Sequence, residues 1–201
     1  MILMVNCSMK SKAGNTQYFL ELLKDKVNDA EIISIKSVLK EPLDMFVDKL
    51  QKADGLVIGA PLYVDGLPAQ AVMLLEKLLE SYKGRVTCPV YVVSNLGFYE
   101  AKQIQPLLDM VRNWCARIGC VYGGGLAVGA GPMISTLKSM PLDKGLNKDI
   151  GKGINLLSES VKKGTIMENY YTKTMIPRAV YLRAAHAMFH RTLKENGVFH
   201  K

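Results

Sequence analysis

A polar loop near the amino terminus carries the chemical groups that bind an anion. We call residues 6–16 the first loop; its hydroxyl, amine and amide groups and its turn glycine are Asn6, Ser8, Lys10, Ser11, Lys12, Gly14, Asn15 and Thr16. A helix is predicted to begin at its end, and the free N–H groups of a helix start favour an anion. The loop lacks both Gly-x4-Gly-Lys-Ser/Thr and Gly-x-Gly-x-x-Gly, so a monophosphate is the favoured ligand. The alternative is a solvated loop with a helix cap.

Two later loops each follow an apolar strand and present aromatic side chains. The second loop, residues 59–68, places Tyr63 among prolines and glycines. The third loop, residues 94–100, places Phe98 and Tyr99 beside Gly97. Loops of this kind can form the walls of a site for a planar ligand. Taken singly, each is also consistent with an ordinary surface loop or a strand-to-helix turn.

Short apolar runs alternate along the chain with segments of helical period. The strand candidates are residues 2–5, 32–35, 55–59, 90–93 and 120–128, the last broken by three glycines and expected to be bulged. This alternation predicts an α/β fold, with βαβ units, a parallel five-stranded sheet and helices on both faces. Ligands of doubly wound sheets lie at the carboxyl ends of the strands. The three loops are therefore expected to meet at one edge of the sheet.

The composition limits the class of protein. Of 201 residues, 49% are hydrophobic and 22% charged, which excludes a disordered, collagen-like or disulfide-stapled chain. No apolar run reaches the ~18 residues that a membrane span needs. Residues 1–5 are interpreted as a strand and not as a signal peptide. The four scattered cysteines lack zinc-ligand spacing, so we expect reduced thiols in a cytoplasmic protein.

The excess positive charge belongs to the carboxyl-terminal part. Residues 1–150 have a net charge of +2, whereas residues 151–201 have +6. Pro177 can start a basic helix there, with Val180, Ala184 and Ala187 or Met188 along one stripe. Arg183, His186 and His190 lie on another. This extension is expected to pack on the domain or on a dimer mate; docking on an anionic membrane or on nucleic acid is the alternative. The two histidines have no third ligand in the sequence, so we expect no metal site.

The three loops resemble those of the flavodoxin-like family of NAD(P)H-dependent FMN reductases. The family's first loop, Asn-Gly-Ser-Pro-Arg followed by Asn/Ser-Thr, corresponds to residues 6–10 and 15–16. Its Gly-Ser/Ala-Pro-Val/Leu-Tyr and Asn-x-Gly-Phe segments correspond to residues 59–63 and 95–98. The resemblance covers about residues 1–135, including the glycine-rich exit at 125–133. Cys7 and Met9 depart from the family's Gly and Pro.

The resemblance implies a fold, a cofactor and a reaction. It implies strand order 2-1-3-4-5 in an FMN-binding domain of residues 1–150, a helical extension of residues 151–201, and a homodimer. It implies one non-covalent FMN, with hydride passing from NADH or NADPH through the flavin to a quinone, nitro compound or similar small acceptor. No catalytic side chain, nucleic acid or transmembrane segment is implied. The cofactor-binding residues implied are Ser8, Lys10, Asn15 and Thr16 at the phosphate, Pro61, Leu62, Tyr63, Val64, Asp65 and Gly66 on one side of the ring, and Asn95, Gly97, Phe98 and Tyr99 on the other.

Two alternative functions remain open from the sequence. One is an electron carrier resembling flavodoxin, without NAD(P)H turnover of its own. Such carriers are usually strongly acidic and end near the fifth strand, whereas residues 1–150 of this chain are nearly neutral and residues 151–201 extend beyond that strand. The other is a non-catalytic binding module that docks through its basic tail, which predicts a protein without flavin colour.

Overall fold

The structure, a computed structural model, describes residues 1–10, 14–131, 133–134, 138, 140–142 and 144–198. Ser11 and Lys12 of the first loop lie outside the described residues. The described part forms one parallel sheet in the order β2-β1-β3-β4-β5-β6. Its strands are β1 (Ile2–Asn6), β2 (Ala30–Ser34), β3 (Gly55–Pro61), β4 (Val90–Asn95), β5 (Tyr122–Val128) and β6 (Tyr170–Tyr171).

The predicted order of the first five strands is confirmed, and a sixth strand extends the sheet. Tyr170 and Tyr171 of this strand pair in parallel with Leu126 and Ala127 of β5. A strand of two residues has no periodicity for a sequence pattern to reveal. Its position beside β5 brings the following segment toward the carboxyl edge of the sheet.

Helices cover both faces of the sheet. They are α1 (Asn15–Lys24), α2 (Ile35–Lys40), α3 (Leu43–Gln51), α4 (Ala69–Ser81), α5 (Gln105–Ile118), α6 (Lys148–Lys163) and α7 (Arg178–Glu195). Short 3-10 turns precede α5 and α6 at Ala101–Ile104 and Gly145–Asn147. The expectation that Ile35 ends a strand is wrong, because the Ser34 hydroxyl accepts the Lys36 N–H at 3.2 Å and so caps α2.

Alternate strand residues supply two hydrophobic cores. Leu3 and Val5 of β1 face the core beneath α3, α4 and α5, whereas Ile2 and Met4 face the core beneath α1 and α6. Strands that are buried on both faces are mainly apolar, and β1, β3 and β4 follow this rule except at Asn6, Ser94 and Asn95 at their carboxyl ends. The sheet is thus a rigid platform whose carboxyl edge carries the three loops.

The glycine run in β5 forms the expected bulge. Val90 pairs with Tyr122 but Tyr91 pairs with Gly124, so Gly123 is the extra residue. A Cβ atom added at Gly123 would lie 2.3 Å from the Tyr91 ring. The absence of a side chain at Gly123 therefore leaves the space that the buried Tyr91 ring occupies.

The two carboxyl-terminal helices differ in their burial. α6 begins at Lys148, so the division placed near residue 150 falls within its first turn. Among the residues of α7, all of which the structure describes, Tyr181 alone is buried. Val180, on the stripe that the sequence pattern indicates, is 51% exposed, because the helix turns its Tyr181 face to the domain. In the described part of the chain, no helix has the length and apolarity to cross a membrane.

Candidate functional site

Asn95, the last residue of β4, joins the three loops. Its side-chain oxygen accepts a hydrogen bond from the Thr16 hydroxyl at 2.9 Å. Its carbonyl accepts one from the Leu62 N–H, also at 2.9 Å. Thr16 and Asn95 are both buried, so these bonds are protected from water. The first, second and third loops therefore meet at the carboxyl edge of the sheet.

The first loop is organised by Asn6. Its side-chain oxygen accepts the Ser8 N–H at 2.9 Å, and its amide group donates to the Gln17 side chain at 2.7 Å. The Ser8 hydroxyl in turn accepts the Lys10 N–H at 3.3 Å, while the Lys10 side chain is exposed. These bonds order residues 6–10 and tie Asn6 to Gln17 in the first turn of α1.

The start of α1 has backbone donors to offer. Gly14 precedes the helix in an extended conformation, and no side chain among the described residues caps it. The N–H groups of the first helical turn have no partner within the helix, and the helix dipole adds partial positive charge there. With the Lys10 amine nearby in sequence, this end of the first loop is suited to an anion.

The second loop contains a tight turn. Tyr63 and Gly66 exchange N–H···O bonds of 3.0 and 3.1 Å, and Val64 and Asp65 between them have φ of +47° and +58°. Two consecutive positive φ values define a type I′ turn, which normally selects Asn and Gly. Tyr63 remains 42% exposed, whereas Pro61 is buried and Leu62 packs on the core.

The third loop has an open side and an occupied side. Phe98 is 64% exposed, and a Cβ atom added at Gly97 would meet nothing within 4 Å. Tyr99, by contrast, is held by the carboxyl-terminal segment. Its hydroxyl donates to the Ile176 carbonyl at 2.7 Å, and its carbonyl accepts the Thr174 hydroxyl at 3.0 Å. The Phe98 side chain and the space beside Gly97 are therefore open to a ligand, whereas Tyr99 is not.

The first residues of α7 also hold the third loop. The Tyr181 hydroxyl donates to the Gly97 carbonyl, and its ring lies 5.3 Å from that of Tyr99. Arg178 lies 3.6 Å from the Glu100 carboxylate in an exposed ion pair. The carboxyl-terminal segment thus holds the third loop at Gly97, Tyr99 and Glu100.

The exit from β5 completes the edge. The Gly131 carbonyl accepts the Asn15 side-chain amide at 2.9 Å, and the Gly131 N–H donates to the Leu96 carbonyl at 2.8 Å. A Cβ atom at Gly129 or Gly131 would come within 2.5 or 2.6 Å of backbone oxygens of the third loop. Glycine at both positions is therefore what allows this fourth segment to lie against the third loop.

Two further buried side chains, those of Ser94 and Cys7, lie at this edge of the sheet. The Ser94 hydroxyl, beside Asn95, has no hydrogen-bond partner among the described residues. Cys7 is buried in the first loop, and its desolvation raises the pKa of its thiol to about 12. Cys7 is accordingly a protonated, inert thiol, and the Ser94 hydroxyl is buried without a partner among the described residues.

These features fit a ligand with a phosphate at one end and a flat ring at the other. The uncapped start of α1 and Lys10 suit the phosphate, and Tyr63 and Phe98 expose aromatic surface on two loops that Asn95 joins. The open space at Gly97 leaves room beside them. An unpartnered Ser94 hydroxyl lies at the same strand end.

The structure brings most of the sequence-predicted site residues to this edge, but some are exposed and others are buried. Lys10, Tyr63, Val64, Asp65, Gly97 and Phe98 are exposed, whereas Ser8, Thr16, Pro61 and Asn95 are buried. The sequence analysis named Asn6 in the first loop and residues 125–133 as the exit from β5, but it did not predict that Asn6 and Gly131 support the site. It missed Gln17, Thr174 and Tyr181, and Tyr181 has no local signal.

The comparisons with known proteins agree with this architecture. The model of the NADPH-dependent FMN reductase family matches residues 1–122, which is more than half of the chain. The chain belongs to the NADPH-dependent FMN reductase family. The matched range contains all three loops and β1 to β4, and it ends at the start of β5. The comparison with curated proteins finds no match.

Solved structures share the fold of this family member at low sequence identity. A Trp repressor binding protein from Bacillus subtilis is 15% identical, with a TM-score of 0.56 over 83% of this chain and 100% of that one. An NADPH-quinone reductase from P. pentosaceus is 14% identical, with a TM-score of 0.57 over 79% and 94%. A flavodoxin from Streptococcus pneumonia TIGR4 is 15% identical, with a TM-score of 0.57 over 81% and 97%. These likenesses establish the flavodoxin-like fold.

Proposed function

We propose that the chain binds one FMN at the carboxyl edge and is an NAD(P)H-dependent oxidoreductase that reduces a quinone, nitro compound or similar small acceptor. The observation that carries the proposal is the junction at Asn95, which accepts hydrogen bonds from Thr16 and from Leu62 and so joins the three loops at one edge of the sheet. Family membership supports the choice of cofactor. Bound FMN supplies the two-electron chemistry, and the protein supplies binding and orientation.

The proposed phosphate site combines donors with one cation. The backbone N–H groups at the start of α1, the Ser8 hydroxyl and the Lys10 amine would hold the phosphate. The Asn15 and Thr16 side chains already bond to Gly131 and Asn95, so we assign them the positioning of the loop.

The proposed ring site lies between the second and third loops. Residues 61–66 would form one wall, and Asn95, Gly97 and Phe98 the other, while Tyr99 supports the third loop from behind. The exposed Tyr63 and Phe98 would shape the space for the nicotinamide and, after it leaves, for the acceptor. The successive binding of the nicotinamide and of the acceptor requires no acidic or basic side chain of the protein.

The decisive experiment is a spectrum of the purified protein with identification of the released ligand by mass spectrometry. We expect flavin absorbance, anaerobic bleaching by NADH or NADPH, and steady-state turnover with a quinone. Flavin binding without any NAD(P)H turnover would overturn the reductase proposal in favour of an electron carrier. A chain that retains no FMN after incubation with it would overturn the cofactor assignment.

A size series at Gly97 tests the position of the ring. Space is open at this residue and its φ is not left-handed, so Gly97→Ala and Gly97→Phe are expected to leave the fold intact. We expect FMN affinity to fall progressively from Gly to Ala to Phe, measured by fluorescence titration, with unchanged thermal unfolding of the apoprotein. Equal FMN affinity in all three proteins would exclude the ring from this side of the loop.

The phosphate assignment is tested by removing one cation. Lys10→Ala is expected to weaken FMN binding roughly tenfold, the contribution of one charge-assisted hydrogen bond. Lys24→Ala, an exposed lysine at the other end of α1, is the matched control and should bind FMN normally. Equal losses in the two variants would show a non-specific effect of charge.

We also propose that the protein is a homodimer that associates through α7. Leu182, Phe189 and Leu193 form one exposed apolar stripe, with spacings of seven and four residues, and Arg183, Arg191 and Lys194 lie on the opposite side. A second copy would cover the apolar stripe and leave the charges in water. Because Tyr181 ties α7 to the third loop, the mate would lie beside the candidate ring site.

The oligomer is tested by sedimentation of the flavin-loaded protein. We expect a dimer for the wild type and a monomer for Phe189→Asp. Val180→Asp, a change of equal chemistry on the other side of α7, is the control and should remain a dimer. A monomeric wild type that binds anionic vesicles would overturn the dimer and favour a membrane-docking helix.

A further inference from the structure

Three thiols gather at the amino edge of the sheet, the end away from the candidate flavin site. Gly119 follows α5 in the left-handed conformation, with φ of +93°, and the Cys120 N–H donates to the Cys115 carbonyl at 3.0 Å. This is the hydrogen bond of a Schellman motif, in which the side chains of the two bonded residues contact each other. The turn that ends α5 therefore sets Cys115 and Cys120 side by side.

The sheet register adds the third thiol. β4 and β5 are parallel neighbours that begin with Val90 opposite Tyr122, and the Val90 N–H donates to the Val121 carbonyl at 2.8 Å. Cys88 and Cys120 each lie two residues before these partners, so they approach each other across the strand entrance. Cys120 is thus flanked by Cys115 from the helix and by Cys88 from the neighbouring strand.

The pair on the turn is chemically asymmetric. Cys115 is buried, while Cys120 is partly exposed. A hydrogen bond from the Cys115 thiol to the Cys120 sulfur raises the pKa of Cys115 and lowers the pKa of Cys120. Burial raises the pKa of Cys88 to about 11. The accessible sulfur is therefore the one most easily deprotonated, which is the arrangement of an attacking thiol and a resolving thiol.

We propose that Cys115 and Cys120 form an oxidisable dithiol that closes to a disulfide with a hydroperoxide as oxidant. The Cys120 thiolate attacks hydrogen peroxide; an S–O bond forms, the O–O bond breaks, and the departing hydroxide takes a proton to become water. The Cys115 sulfur, after losing its proton, attacks the sulfenic sulfur; an S–S bond forms and a second water leaves. Two thiols lose two electrons, and one peroxide becomes two waters.

The arrangement favours pairwise oxidation over metal binding. Among the described residues, no group of three or more His, Cys, Asp or Glu side chains is placed to hold a metal ion. Cys88 therefore does not complete a three-thiolate site with the other two. Cys7 lies in the first loop at the opposite end of β1 from this edge, so it takes no part.

Trypsin gives an unambiguous map of the linkage. Cleavage at Arg112, Arg117 and Lys138 places Cys115 in peptide 113–117 and Cys120 in peptide 118–138, while Cys88 falls in peptide 86–102. Peptide 113–117 also contains Trp114, the single tryptophan of the chain, so its fluorescence marks every species that includes Cys115.

The test treats the flavin-loaded protein with hydrogen peroxide, blocks remaining thiols and digests it without reductant. We expect peptides 113–117 and 118–138 to be linked, with two of the four thiols lost and both recovered on adding dithiothreitol. Cys120→Ser should abolish the linked species, and Cys88→Ser and Cys7→Ser should retain it.

Three outcomes would overturn the proposal. Linkage of peptide 86–102 to 118–138 would assign the resolving role to Cys88. Sulfinic or sulfonic acid at Cys120 without any linkage would show that Cys115 does not reach it. Four thiols that survive the treatment would show that the turn is not oxidisable. The wild-type peptide map decides among these even if a serine variant fails to fold.

Discussion

The last two helices of the chain are attached to the sheet in different ways. α6 buries seven residues, with Ile154 and Leu157 in the core beneath α1, so it is one of the layers that the sheet requires. α7 buries only Tyr181, whose hydroxyl reaches the Gly97 carbonyl of the third loop. The difference shows that α6 supports the fold, whereas α7 is fastened to the candidate site.

The largest effect expected from this comparison is at the core face of α6. Leu157→Ala removes a fully buried side chain and is expected to lower the free energy of unfolding by about 2–5 kcal/mol, because the cavity collapses only partly. Urea denaturation of the apoprotein measures the change. Leu156→Ala is the neighbouring exposed control, and equal losses in the two variants would contradict the assignment of faces.

A smaller effect is expected at the attachment of α7. Tyr181→Phe keeps the ring beside Tyr99 but removes the hydrogen bond to Gly97. We therefore expect the free energy of unfolding to fall by about 1 kcal/mol. Because the bond holds the third loop, FMN affinity should fall as well, whereas Val180→Ala on the exposed side should change neither quantity. A Tyr181→Phe protein with normal FMN binding would separate α7 from the site.

The smallest effect is expected at the solvent face of α6. The Glu159 carboxylate lies 3.2 Å from the Lys163 amine and 3.7 Å from that of Lys162, and these lysines lower its pKa below 4.5. A depressed folded-state pKa contributes stability at neutral pH that is lost as pH falls through that pKa. Glu159→Gln should therefore be slightly less stable than the wild type at neutral pH and equal to it in strong acid. Urea midpoints across this pH range provide the measurement; a gap that persists in acid would contradict the ion pair as its source.

The parts of the fold that depend on local pattern were predictable from the sequence. The apolar runs of β1, β3 and β4 predicted the parallel sheet, because residues buried on both faces of a sheet are mainly apolar. The glycine run in β5 predicted the bulge, because a backbone with positive φ favours glycine. α2 and β6 were missed, because one depends on a single capping hydroxyl and the other on two residues.

The candidate site was only partly accessible to such reasoning. The loop residues could be named, but their connections could not, because Thr16 and Asn95 are 79 positions apart and meet only once the register of β1, β3 and β4 is set. Tyr99 was expected at the ligand and instead contacts residues 174–181. That contact depends on β6, which the sequence pattern did not reveal.

The conformation of Val64 has a consequence for engineering the second loop. A β-branched residue in the left-handed region costs on the order of 1–2 kcal/mol, and the side chain of Val64 is wholly exposed and so makes no packing contribution in return. Exchange of Val64 for asparagine or glycine should therefore relieve strain at the tip of the turn without disturbing the buried Pro61 at its base. A stabilised form of the protein can be sought at this one exposed position.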